Sequence, residues 1–142
     1  MKKDINDLYD VLIRKHNKEP FHFEAQESAD INLIANNPLC GDRFELFINK
    51  KGDFLETMYF HGFGCALSMA STSIMLELME NKSGTEALEI CREFFNFLDN
   101  SVQPSNEIFK AFTAIHEHPA RMDCVKLSWL KMKERLESGR LH

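Results

Sequence analysis

The period of the hydrophobic pattern changes near the middle of this chain, and that change limits the folds open to it. Three short runs with strand-like alternation come first, Asp30 to Asn36, Arg43 to Ile48 and Phe54 to Phe60. Alternation turns one side of each run toward a core, as in a strand. KKGD at 50 to 53 supplies the turn that joins the last two runs into a hairpin. From Cys65 or Ala66 to Asn81 the spacing becomes helical, with Leu67, Ala70, Ile74 and Leu78 on one stripe. The first half of that helix is small-sided (Ala66, Ser68, Ala70, Ser71, Thr72, Ser73), which lets another element approach closely. Three more helices are predicted, Thr85 to Leu98, Ser105 to His116 and Ala120 to Leu136, each opened by a Ser/Thr or Pro start signal. A further helix, Lys3 to Lys18, carries Ile5, Leu8, Leu12 and Ile13 at helical spacing and stops before Pro20. Strands followed by a run of helices predict an α+β fold, with helices covering one face of a small antiparallel sheet.

With 142 residues and no repeat, low-complexity tract or linker, the chain is expected to be one domain. Its parts would be an N-terminal helix at 3–18 and a core at 30–136. A net charge of -5 with mixed signs argues against nucleic acid as the main partner. The opening MKKDINDLYDVLIRKH lacks an apolar signal-type region, and no run approaches the roughly 20 apolar residues of a membrane span. The expectation is a cytoplasmic protein with no membrane partner. In a reducing compartment Cys40, Cys65, Cys91 and Cys124 read as thiols or metal ligands rather than disulfides, and no C-x-x-C pair is present.

Position separates these four. Cys91 lies on the apolar stripe Ala87, Cys91, Phe94, Leu98 and reads as core. Cys40 sits in NNPLCGD, where Pro38 and Gly41 shape a turn and Gly41 lets the Cys40 thiol and the Asp42 carboxylate aim at one point. Cys65, in HGFGCALSMAS, opens a helix, where free N–H groups and the helix dipole favour a thiolate. Cys124 has a similar address, off the centre of the stripe Met122, Val125, Trp129, Met132, Leu136. Three thiols and one carboxylate match the tetrahedral ligand count of zinc, and sulfur also suits iron–sulfur clusters. At separations of 25 and 59 residues, only the fold can bring them together. His116 and His118 read as a solvated pair in a connection, His61 as a partly exposed strand residue, and Phe44, Phe47, Phe60 and Phe63 as sheet packing.

The segments NPLCGD (37 to 42), GFGCALSMASTSIM (62 to 75) and RMDCVKLSW (121 to 129) resemble, in order, the three cysteine motifs of the IscU/SufU/NifU N-terminal family of iron–sulfur cluster assembly proteins. The resemblance runs from about Asp30 to Leu136. It implies a SufE/NifU (IscU-like) fold with a three-stranded antiparallel sheet, and a site of Cys40, Asp42, Cys65 and Cys124. Two branches differ. The IscU branch builds a cluster on the site, usually with a histidine before the third cysteine and an L-P-P-V-K motif upstream; here Asp123 and HEHPAR stand in those places. The SufU branch has a longer insertion between the second and third cysteines, an arginine three residues before the third, and zinc in the site. The spacing here is long, the extra helix carries Cys91, and Arg121 is present. The resemblance therefore implies a SufU-like zinc protein. Such a protein would accept persulfide sulfur from a PLP-dependent cysteine desulfurase (SufS-like) and serve downstream iron–sulfur assembly proteins. Cys40 would be the sulfur acceptor, and Arg121 would neutralise the anionic site or help the persulfide approach. Asp123, where SufU-like sequences commonly carry a basic residue, either disfavours the Cys124 thiolate, serves as a substitute ligand, or is an acid interacting with the helix dipole.

Overall fold

The computed structural model describes residues 10–139. The first predicted helix appears as α1 (Val11–Lys18), capped by Asp10 through the Leu12 N–H; its predicted earlier turns, with Ile5 and Leu8, lie outside the described residues. Three strands follow, β1 (Ile31–Asn37), β2 (Asp42–Lys51) and β3 (Phe54–Phe63). They form one antiparallel sheet in the order β1-β2-β3, so the predicted hairpin is present, with Gly52 at φ 61 in its turn. The alternation buries Phe44, Leu46, Ile48, Met58 and Phe60 completely.

β3 continues three residues beyond its predicted end, and glycine is the reason. At Gly62 the backbone has φ 145, and a Cβ there would lie 2.1 Å from the carbonyl oxygen of Arg43. No side chain fits between the strands at that point, so the pairing carries on to Phe63 opposite Arg43. The outer edge of β3 is covered: Glu24 N–H donates to Phe60 O and Phe60 N–H to His22 O.

α2 (Ala66–Met79) is buried almost all round, because α1, α4 and β3 all pack on it. α3 (Gly84–Asn100) starts with a capping box between Ser83 and Glu86. The helix predicted at Ser105 to His116 is instead a 3-10 helix, Glu107–Glu117. Its apolar residues come in pairs every three positions, Ile108/Phe109, Ala111/Phe112 and Ala114/Ile115, a period that eclipses them into one row when there are three residues per turn. A short 3-10 turn, Pro119–Arg121, then leads into α4 (Met122–Glu137). Aromatic rings fasten these pieces together, with Phe94 4.3 Å from Trp129 and 4.6 Å from Phe109. Cys91 is fully buried in this core, as its stripe predicted, and burial pushes its thiol up to about 12.

Two expectations need correction. His116 is not a solvated residue: its ring is half-buried, meets the Phe97 ring edge-on, and sets Nε2 3.0 Å from Phe97 O and Nδ1 3.1 Å from Thr113 O. His118 is also half-buried. Phe63 does not pack in the sheet; it is 62% exposed at the end of β3, whereas Phe44, Phe47 and Phe60 are buried as expected. His61 is exposed and faces the Phe23 ring. Among the described residues, no helix is long and apolar enough to cross a membrane.

Candidate metal centre

The turn that carries Cys40 is a four-residue loop between paired strands, with Asn37 opposite Asp42. Gly41 takes φ 80 and its N–H donates to Asn37 O at 2.8 Å, while Leu39 N–H donates to the Asn37 side chain at 3.1 Å. Asn37 thus holds the loop from both sides. Cys40 is left exposed at the surface, and Asp42, the first residue of β2, is buried.

Asp42 uses one oxygen and not the other. Oδ1 accepts the Cys65 N–H at 3.2 Å, whereas Oδ2 is buried without a hydrogen-bond partner. A buried carboxylate oxygen with nothing to accept is costly. That oxygen is left available to a cation.

Cys65 reaches the site because β3 runs to Phe63 and Gly64 then turns the chain into α2. A Cβ on Gly64 would lie 2.4 Å from Ser68 Oγ and 2.8 Å from the Phe44 ring, so a side chain there would push this corner apart. The Cys65 sulfur caps α2, accepting the Ser68 N–H at 3.4 Å, and its thiol lies 3.6 Å from Ser68 Oγ.

Cys124, in the first turn of α4, is buried beside it. Its thiol is pushed up to about 12, first by burial, then by the neighbouring Cys65 charge and hydrogen bond, and then by Asp42 and Cys40. Each of these effects opposes a thiolate, and a cation held at the centre would reverse the balance.

The donor atoms of Cys40, Asp42 and Cys124 lie within 4.8 Å of one another. Cys65 adjoins this trio through its contact with Cys124 and its N–H on Asp42, with its sulfur turned partly to Ser68. Three sulfurs and one bare carboxylate oxygen fit the donor chemistry of zinc, or the thiolate-rich surroundings of an iron–sulfur cluster. Asp123 is exposed in the first turn of α4, and its carboxylate is not one of the converging donors. Arg121 is exposed at the end of the 3-10 turn that precedes α4.

The buried hydroxyls behind the cysteines had no functional reading in the sequence. Ser68, Ser71, Thr72 and Ser128 are all at most 1% exposed and line the contact between α2 and α4. The small-residue run of α2 was their signal: α4 is the element that approaches there.

Residues 8–136 match the family model described as NifU-like N terminal domain. The chain is 31% identical over 136 residues to the zinc-dependent sulfurtransferase SufU of Bacillus subtilis, with 92% of this chain and 90% of that protein covered. It is 30% identical over 136 residues to the iron–sulfur cluster assembly scaffold protein IscU of Streptococcus pyogenes, covering 94% and 85%. Among solved structures it resembles a protein described as an iron–sulfur cluster assembly scaffold for the SUF system from Fervidobacterium islandicum. That match has a TM-score of 0.84 at 26% identity and covers 94% of this chain and 99% of the other. A NifU-like N-terminal structure from Brucella abortus, at 18% identity and TM-score 0.81, shares the fold; it covers 94% of this chain and 96% of that one.

Proposed function

This chain belongs to the NifU-like N-terminal domain family, and from that premise we propose that it serves iron–sulfur cluster assembly as a zinc-holding sulfur acceptor. Sulfur would come from a PLP-dependent cysteine desulfurase of the SufS type and pass to downstream assembly proteins. One observation carries the reading: the donors of Cys40, Asp42 and Cys124 converge within 4.8 Å, and Cys40 alone of the three is exposed, on a loop beside a Leu39 that is 97% exposed. The site pairs two buried donors with one accessible thiol.

Zinc held by Cys40, Asp42, Cys65 and Cys124 would keep their thiols ionised at neutral pH. The Cys40 sulfur attacks the outer sulfur of the desulfurase persulfide. A new S–S bond forms on Cys40, the old one breaks, and the desulfurase cysteine leaves as a thiolate, so the exchange needs no outside oxidant. Asp42, Cys65 and Cys124 retain the metal from strand and helix starts, which move less than the loop. Arg121, exposed beside α4, offsets the negative charge of the incoming persulfide. Asp123 remains in the positive first turn of α4, outside the ligand set.

The test is alanine release by the desulfurase with cysteine and a mild reductant, without iron. Multiple-turnover stimulation by this protein that disappears with Cys40→Ala is the expected result. No stimulation by the parent protein would overturn the sulfur-acceptor reading. A second reading, a scaffold that builds a cluster on the same ligands, is favoured by the likeness to the Streptococcus pyogenes scaffold. It predicts a coloured species once iron and sulfide are supplied, longer-lived in Asp42→Ala.

A further inference from the structure

We propose that Ser71 is a positioning residue for Cys124, setting the register of α4 against α2 so that the metal-binding donors meet. The inference rests on the metal-centre reading above and deepens it. Cys65 and Cys124 come from the starts of two different helices, and the start of α4 has no cap of its own: Arg121 makes no side-chain capping bond, and the helix enters from a 3-10 turn. The Met122 N–H donates back to Pro119 O, which continues the turn but does not tie α4 to α2; another group must do that.

Ser71 does so with both faces of one hydroxyl. It donates to the carbonyl of Val125, the residue after Cys124, at 2.6 Å, and accepts the indole N–H of Trp129 at 3.0 Å. A second rung lies beside it, where Thr72 Oγ1 donates to Ser68 O at 2.8 Å and meets Ser128 Oγ at 2.6 Å. Ser71 is 1% exposed and Trp129 fully buried, so water cannot replace these bonds. Small side chains permit close approach of two helices but say little about how far one slides along the other; directional hydrogen bonds do. A slip of one residue would move Cys124 by about 1.5 Å along α4 and turn it by about 100°. That would take its sulfur out of the group that now lies within 4.8 Å.

A purely structural role would look different, and Ser73 supplies the comparison. It lies on the same helix, is equally buried, and accepts the Phe21 N–H and meets His16 Nδ1, both at 2.7 Å, on the side of α2 that faces α1. The experiment titrates cobalt(II), a spectroscopic stand-in for zinc, into the full chain and its Ser71→Ala, Trp129→Phe and Ser73→Ala variants. Urea unfolding of the metal-free forms measures their stability alongside. Ser71→Ala is expected to bind cobalt at least about 10-fold more weakly, with altered d–d bands, the lower end of what loss of a group bonded directly to a metal ligand produces, since Ser71 acts through the backbone of the next residue. Trp129→Phe should shift the bands in the same direction, and it carries the test if Ser71→Ala does not fold. Ser73→Ala should lose stability yet keep the parent's affinity and spectrum. Parent-like binding by Ser71→Ala, or equal weakening in Ser73→Ala, overturns the proposal. No cobalt uptake by the parent itself overturns the metal-centre reading, and the positioning role falls with it.

Discussion

Asp42 holds one oxygen against the Cys65 N–H and leaves the other buried and bare. Such a group favours the arrival of a cation over the metal-free state. Asp42→Asn keeps an oxygen for the Cys65 N–H but removes the charge. We therefore expect the metal-free variant to be as stable as the parent to within about 1 kcal/mol, because a hydrogen bond is kept and a buried charge is lost. Zinc affinity should fall at least about tenfold. Urea unfolding in chelator and a zinc competition titration read the two effects separately. A variant destabilised without zinc and unchanged in affinity would make Asp42 a structural residue instead. At this scale Cys40, Asp42, Cys65 and Cys124 were legible as candidate donors because turn glycines and helix starts mark them locally. The bonds of Ser71 were not: the small-residue run marked a close approach on α2, but the partners lie 54 and 58 residues away. His116 was misread for the same reason, since its Phe97 carbonyl lies 19 residues back.

The elements deliver these residues, and glycine decides how far one of them runs. Gly62 and Gly52 both have positive φ, but only Gly62 is also crowded, with Arg43 O 2.1 Å from where its Cβ would be; around Gly52 the space is open. Gly52→Ala should cost about 1–2 kcal/mol from the left-handed backbone alone. Gly62→Ala should cost more than that, since it adds a clash between paired strands and pries apart the end of the hairpin beside Asp42 and Cys65. Urea unfolding of both variants checks the order, and equal costs would mean that the β2–β3 end yields freely. The hairpin was legible from KKGD and the strand faces from their alternation. The 3-10 helix was missed although its period of three was in plain view at Ile108 to Ile115, because over so short a run a period of three and one of 3.6 select nearly the same residues.

Taken whole, the molecule places its candidate site where a loop, a strand start and two helix starts meet, which the order of strands and helices made legible only as an α+β class. Which helix covers which face depends on long-range contacts that no local pattern states. One such contact docks α1 on α2: His16 is buried, with Nδ1 2.7 Å from Ser73 Oγ and Nε2 3.5 Å from Glu77. Burial lowers the His16 pKa below its usual value, more than Glu77 raises it, and Lys15 lowers it further. The unfolded chain therefore binds this proton more readily than the folded one. The His16 contribution to stability is complete above about pH 6.5, the ordinary histidine value, and is lost as pH falls through the lower folded value. Urea unfolding should show that loss between pH 7.5 and 5.5 and a smaller one in His16→Gln. A metal bound at the candidate centre would act on the same balance. Because its donors come from the β1–β2 loop, β2, α2 and α4, an ion held by them ties together parts of the chain that unfolding separates. Binding to the folded state alone adds about 4 kcal/mol when the free ion is a thousandfold above its dissociation constant. For a chain of this size that amounts to roughly 10 °C or more in Tm. Calorimetry with zinc and with chelator should show this difference in the parent protein and a smaller one in Cys40→Ala, which keeps three of the four donors. A Tm indifferent to zinc would mean that the converging thiols do not hold it.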